Sequence, residues 1–282
     1  MVHRTAAGRP LHRLPRPRRG PRPGFDPLPV QYADYALWQQ DLLDGPEADA
    51  HRVFWETTLA GAPAVLDLPA ARPRPAEATH RGGHAPLTLD AATHRALEAL
   101  ARENGATLFM VLQAALATVL TRHGAGTDLP LATMTAGRDD ELLGPMVGFF
   151  VNTLVLRTDT SGDPAFADLL DRVRRTDLAA YAHQELPFDR VVEHLNPVRT
   201  TAHHPLAQVV VQLHHDYAGG VPGADAARSL FRDDAPALLT TVTTKFDLTF
   251  ALTDLRDADG APAASPADWS TPPTCSTPPP PP

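Results

Sequence analysis

Cysteine is nearly absent: the 282 residues contain one, Cys275. A single cysteine forms no internal disulfide. That excludes a disulfide-stapled secreted scaffold and makes a reducing, cytoplasmic compartment the expectation. No Cys/His group has the spacing of a zinc site. His80 and His84 lie four apart in a glycine-rich stretch but lack a third ligand, and read as loop histidines. Long apolar runs are missing too. The longest, Ala106 to Leu120, contains Gln113, is closed by Arg122 and is too short to span a bilayer. The N-terminal arginines are not followed by an apolar stretch, unlike a secretory signal. Lysine is as scarce as cysteine: of 25 basic residues only Lys245 is a lysine. Against them stand 33 acidic residues, for a net charge of −8. That balance argues against a nucleic-acid or membrane-surface binder.

What is abundant is proline, 30 residues, seven of them in 1–30 and nine in 261–282. Residues 1–24 hold seven arginines and no acid, a composition that buries too little apolar area to offset its ordering entropy. The C-terminal run closes on five consecutive prolines, open to a polyproline II reading but expected to be unstructured. The organisation expected is therefore a disordered Arg/Pro-rich segment at 1–27, a folded body at 28–258 and a disordered Pro-rich tail at 259–282. Without residues 1–30 the chain carries 18 basic and 32 acidic groups, so the folded part is acidic. The hydrophobic fraction, 43%, is ample for a packed core.

The periodicity predicts an amphipathic helix over 31–44, with Tyr32, Tyr35, Ala36 and Leu42 or Leu43 on one face, stopped by Gly45-Pro46. A second helix is predicted at 49–60, carrying Phe54, Trp55 and Leu59. Residues 61–86 read as a proline-rich connection. Asp90 is the N-cap of a third helix that Gly105 ends, and Thr107 caps a nearly all-apolar helix over 108–123. Leu129–Thr135, Phe149–Arg157, Val209–Leu213 and Phe246–Leu252 read as strands. Asp163-Pro164 reads as the start of a helix and Pro187 as the start of a short one. Mixed strands and helices give an α/β layered fold.

Several segments, in order, resemble one family. Tyr32-Ala-Asp-Tyr-Ala-Leu-Trp38 is one. Phe54-Trp55, Leu66-Asp-Leu-Pro69 and Arg72-Pro-Arg-Pro75 follow it. Next come Gly105-Ala-Thr-Leu-Phe-Met-Val-Leu112, then Gly137-Arg138 with Val147-Gly148-Phe149-Phe-Val-Asn152-Thr153. His183-Gln184-Glu-Leu-Pro187-Phe188, Pro205-Leu206 and Lys245-Phe-Asp-Leu248 complete the set. Together they are similar to the condensation domains of nonribosomal peptide synthetases, acyltransferases of the chloramphenicol-acetyltransferase-like superfamily. The resemblance implies a lobe with a mixed sheet packed by helices, one of two lobes around a tunnel. It implies amide formation between a carrier-tethered acyl donor and an amine acceptor. No cofactor is bound directly; the phosphopantetheine arms of peptidyl carrier proteins bring the substrates. The family assigns catalysis to a His-His-x-x-x-Asp-Gly motif in the first lobe, well upstream of the tyrosine/tryptophan helix. Only 31 residues precede Tyr32 and none fits. The expectation is a C-terminal half alone, with no catalytic residue of its own, whose partners are carrier proteins and a separate first lobe.

The individual residues divide between structural and functional readings. Tyr32, Trp38, Gly148, Phe149, His183, Gln184, Pro187 and Phe188 are expected to be structural, with His183 satisfying helix-end carbonyls and Trp38, Phe54 and Trp55 in the core. Asn152 and Thr153 are open to two readings, a bond to a neighbouring loop or a lining of the substrate path. Arg138 either pairs with an acid such as Glu141 or lines the same path. His214-His215-Asp-Tyr-Ala-Gly219-Gly220 is a near miss to the catalytic motif and reads as a strand exit. Two other functions remain: a non-catalytic module that docks a carrier protein or a separate lobe, and a small acyltransferase using His214 and His215.

Overall fold

Gly45 and Pro46 divide the first stretch of described chain into two helices. Asp34 accepts a hydrogen bond from the Gln31 amide at 2.8 Å and so opens α1, Tyr32–Asp44. Gly45 ends it, and Pro46, pre-set to helical φ, takes the first position of α2, Pro46–Leu59. In the computed structural model the residues described are 27–70, 73–138, 140–215, 244–257 and 259–271. The segment 1–26, Arg72, residues 216–220 of the near-miss motif, Cys275 and the prolines after Thr271 lie outside them.

The remaining elements are β1, Gly83–Leu89; α3, Ala91–Glu103; α4, Leu108–Arg122; β2, Asp128–Thr135; β3, Asn152–Asp159; α5, Phe166–Tyr181; α6, Phe188–Leu195; β4, Val209–His215; β5, Leu248–Asp254; and β6, Ser265–Thr271. Among the described residues the strands form one mixed sheet in the order β1-β6-β5-β4-β2-β3. Only the central pairs β2·β4 and β4·β5 are parallel. Those strands are covered on both faces, which is why β4 opens with the unbroken run Val209, Val210, Val211. Val209 and Val211 pack with Leu131, Leu112 and Leu116 on one side; Val210 packs with Ala132, Leu154 and Trp55 on the other.

The predicted caps are in place. Asp90 accepts from the Thr93 amide at 2.8 Å, Thr107 accepts from Met110 at 3.3 Å, and Gly105 takes the left-handed φ of +60° between the two helices. Four expectations are corrected. The region 259–282 is not all tail, because Ser265–Thr271 forms β6 between β1 and β5. The proline-rich connection yields β1; it is an edge strand, the one place where Pro86 removes no needed donor. Asp163 does not cap α5: it sits at φ +47° in the turn after Gly162, and Ala165 is the N-cap. Trp38 is half exposed and no α1 residue is fully buried, whereas Trp55 is core as expected.

Two side chains pin the helical layer. Arg157 on β3 grips Asp128 with two bonds, 2.9 and 2.7 Å, and caps α2 by donating to the carbonyls of Thr58 and Ala60 at 2.9 and 2.7 Å. Deeper, Gln113 on α4 donates to Thr158 on β3 and to Asp177 on α5, both at 3.1 Å. Asp177 is fully buried, and burial, only partly offset by the Gln113 bond, pushes its carboxyl up to about 7.

A carboxyl raised in the folded state holds its proton where the unfolded chain has released it. Folding stability therefore falls as pH rises from the unfolded value of 3.8 to about 7, and is flat above. The slope there is roughly 1.4 kcal/mol per pH unit at most. Asp177→Asn keeps the shape and abolishes the titration, and its amide can donate to Gln113 Oε1, which has no partner among the described residues. Urea denaturation should find the variant at least about 1 kcal/mol more stable than the parent at pH 8, with the gain shrinking towards pH 5. A pH-independent difference would contradict the titration of a buried carboxyl.

Candidate functional site

The loop from Thr135 to Val151 joins β2 to β3 and is built around two glycines. Gly137 lies at φ +61°, and a Cβ there would overlap the Phe150 carbonyl oxygen. A Cβ on Gly148 would overlap the Tyr32 ring. Removing both side chains lets α1 press onto the loop. The Tyr32 hydroxyl donates to the Phe149 carbonyl at 2.9 Å, and the Phe150 ring meets Tyr32 edge-on at 5.4 Å and Tyr35 at 4.8 Å. Burial, with Tyr32 and Glu185 nearby, pushes the Tyr35 phenol up. Phe150 is buried, while Val147 is 94% and Phe149 76% exposed. The ladder with β2 starts at Asn152 and not at Phe149, because residues 148–151 are held by α1 instead of β2.

Arg138 settles its two readings in another way. Its guanidinium donates to the carbonyls of Leu143, Met146 (2.8 Å) and Gly144 (3.4 Å), and lies 4.1 Å above the Phe150 ring centroid. It closes the 3₁₀ turn Glu141–Leu143 through main-chain carbonyls, and no ion pair to Glu141 is present among the described residues. Asn152 acts similarly at the head of β3. Its Nδ2 donates to the carbonyls of Gln184 (2.8 Å) and Leu186 (3.0 Å), and its Oδ1 accepts from the amides of Phe188 (2.9 Å) and Thr153 (2.8 Å). The bond to a neighbouring loop is therefore the observed role. Thr153 is half-buried and opposite Met134 in the ladder.

That loop carries the His183–Phe188 motif. Pro187 is the N-cap of α6, Phe188 is its first residue, and Leu186 is buried. His183 does not bond helix-end carbonyls as expected. Its ring stacks on Phe54 at 3.9 Å, and its Nδ1 lies 2.9 Å from Nδ1 of His51. Two Nδ1 atoms at that distance require one donor and one acceptor, so at least one ring is neutral. Burial, and then the neighbouring His51, lowers His183 from its ordinary value. The His183 carbonyl accepts from Trp55 Nε1 at 3.1 Å, and Glu185 lies 3.5 Å from the far nitrogen of His51.

Between α1, the 137–152 loop and the 184–190 segment lies a cavity of about 940 Å³. Tyr32, Tyr35, Trp38, Asn152, Gln184 and Glu185 are among the residues that line it. Thr153 is not, since it points from the other side of the strand. A second cavity, about 1220 Å³, is walled by Leu66–Pro69, Arg74, His204 and Lys245. Here Arg74 grips Asp247 with two bonds, one of 2.8 Å. The buried Gln208 donates to the Ala64 and His204 carbonyls, both at 3.1 Å, and accepts from Leu66 at 3.0 Å. His80 reaches the Thr244 carbonyl at 3.2 Å, and His84 sits on β1. His214 and His215 end β4 opposite Thr253 and Asp254. His51 and Gln208 are site residues that sequence reasoning does not single out, while Tyr35, Phe150 and Asp247 lie inside motif segments without an assigned role. A histidine near an aromatic pair is the one signal for His51.

Residues 23–259 match the family model described as "Condensation domain". The chain is 51% identical over 253 residues to a probable non-canonical nonribosomal peptide synthetase, CymA, of Salinispora arenicola, covering 87% of this chain and 3% of that protein. It is 48% identical over 249 residues to a dimodular nonribosomal peptide synthase of Bacillus subtilis, covering 86% of this chain and 10% of that one. Among solved structures, the X-domain from teicoplanin biosynthesis superposes with a TM-score of 0.74 at 33% identity, over 88% of this chain and 56% of that chain. The chain thus spans a small fraction of the synthetases and about half of the solved domain.

The Asn152 bracket makes a direct prediction. Asn152→Ala removes the bonds to two part-buried carbonyls and two amides, at about 1 kcal/mol each. Chemical denaturation should show a loss of about 2–4 kcal/mol, and the Phe188 amide should exchange its hydrogen faster than in the parent. A loss under about 1 kcal/mol would mean that the bracket does not hold the loop.

Proposed function

The chain belongs to the condensation-domain family, and from that premise we propose that it forms one lobe of an amide-forming site in a nonribosomal peptide synthetase. The observation that carries this reading is the interlocking of the motif segments. The Gly148–Asn152 loop, the α1 helix and the His183–Phe188 loop are held to one another by Asn152, Tyr32 and Arg138 around one cavity. In the proposed reaction an acyl group arrives as a thioester on the phosphopantetheine arm of a peptidyl carrier protein. The acceptor amine attacks the thioester carbon, a C–N bond forms, the C–S bond breaks, and the thiolate takes up a proton. The arm is a substrate carrier, not a bound cofactor, and the compartment is the cytoplasm.

No His-His-x-x-x-Asp-Gly segment occurs in the sequence. The group that orients or deprotonates the attacking amine is then supplied by a second lobe outside these residues. Asn152 and Arg138 shape the substrate path through the backbone they hold, and Thr153 faces the other side of β3. The second reading, a non-catalytic module that docks a carrier protein or a separate lobe, is favoured by one observation: the apolar side chains of Val147 and Phe149 face outward.

The assay is amide formation by the purified chain from carrier-bound donor and acceptor. The chain alone should give no product. The same residues exchanged into an intact condensation domain of a synthetase should preserve product formation. Amide made by the chain alone overturns the lobe assignment, and its loss in His215→Ala would move the chemistry to the end of β4.

A further inference from the structure

On the other side of the fold, α3 meets the end of β5 through three ionisable side chains. His94 and Glu98 are four residues apart, so both leave the same face of α3. Asp254 closes β5 against them, and one ligand atom from each of the three lies within 4.8 Å of the others. The His94 side chain is fully buried and that of Asp254 is 4% exposed.

The histidine's hydrogen-bonding fixes what it offers. Nδ1 lies 3.0 Å from the Ala263 carbonyl and 3.3 Å from the Ser265 hydroxyl. A carbonyl only accepts, so Nδ1 carries the hydrogen, and Nε2 is the nitrogen left to offer a lone pair when the ring is neutral. Nε2 has no hydrogen-bond partner among the described residues, although it is inaccessible to water. It faces Asp254 Oδ1 at 3.4 Å. The two atoms are near enough for an ion pair but make no hydrogen bond with each other. Their separation matches the edge of a tetrahedron whose arms have zinc–nitrogen and zinc–oxygen lengths, about 3.4 Å. Arg256 holds the carboxylates from the exposed side, donating to Asp254 Oδ2 at 3.0 Å and to Glu98 Oε1. A carbonyl behind the imidazole and a guanidinium behind the carboxylates are the supports that orient metal ligands.

We propose that His94, Glu98 and Asp254 form a divalent-cation site, and that zinc is the ion it takes. One imidazole and two carboxylates suit zinc, whereas calcium and magnesium favour all-oxygen cages. The two carboxylates and the Arg256 guanidinium sum to −1, a balance that attracts a dication. Three protein donors leave a position for water. The ion braces α3 against β5 and, through the His94 ring, against Ala263 and Ser265 at the start of β6, and is independent of the amide-forming cavity. The competing occupant is a proton on Nε2, which would make an imidazolium–carboxylate pair.

The test uses tag-free full chain, stripped with chelator and titrated with Zn²⁺. The expected result is one zinc per chain, a melting temperature that rises with zinc concentration, and a visible d–d band with Co²⁺ in its place. Glu98→Gln, at the partly exposed rim, should weaken zinc binding at least about tenfold, and Asp254→Asn likewise. His94→Gln is the harsher variant, and Glu98→Gln keeps the test sharp if it fails to fold. No zinc-dependent shift overturns the proposal. So does a shift that Glu98→Gln and Asp254→Asn leave unchanged, which would place the ion elsewhere. A melting temperature that responds to pH alone, and not to zinc, assigns the site to the proton.

Discussion

The carboxamide of Asn152 is the point on which the arrangement turns. An amide side chain has two donor hydrogens and two acceptor lone pairs, and here all four are used. Two of the bonds go to carbonyls of the 184–186 segment, and one comes from the first amide of α6. The end of α5, the start of α6 and the head of β3 are thereby one unit. That junction fixes its neighbours by geometry. His183, just upstream, is delivered to the face of Phe54 and to His51, and its carbonyl to Trp55. The far side of the same junction receives α1 through Tyr32 and Phe150.

β3 is held at its other end by Arg157, and α2 is touched at both ends of that strand. The two anchors differ in weight. The Arg157–Asp128 pair is partly exposed, with side chains 25% and 38% accessible, so the ion pair itself is worth about 1 kcal/mol or less. Its larger contribution is in satisfying the carbonyls at the end of α2, which have no intrahelical partner. Asn152 makes four bonds to main-chain groups of three elements, and so a single amide ties together more of the chain than the charged pair does.

Much of this is legible in the sequence, and the exceptions have physical causes. Asp90, Gly105 and Thr107 act within four residues of themselves, and the helices they delimit stand where the sequence puts them. β1 and β6 escape such a reading, because each carries a proline and is made by pairings distant in sequence, residue 83 with 271 and residue 249 with 270. Pro266 lies beyond the stretch of β6 that pairs with β5 and faces only Thr88 of the edge strand β1, a place that a proline in the sequence does not announce. The site divides in the same way. The segments are visible one by one, and their contacts are not. His51 meets His183, Arg74 meets Asp247, and Gly148 makes room for Tyr32 across more than a hundred residues each. Asn152 stays open between loop anchoring and substrate contact until its partners are seen, because a sequence shows a polar residue at a strand end but not where its hydrogens go.

That outcome bears on what the motif residues are for. Gly137 and Gly148 contribute an absence of side chain; Arg138 and Asn152 spend their donors on main-chain carbonyls; Pro187 starts a helix. Each is a frame residue whose polar capacity is consumed inside the lobe. The face that the frame turns outward is apolar: Val147 and Phe149, with half-exposed Trp38 beside them. A surface of that kind gains free energy by meeting another surface and has little to give a developing charge in a transition state. The described polar groups of the motif segments are spent on holding the main chain.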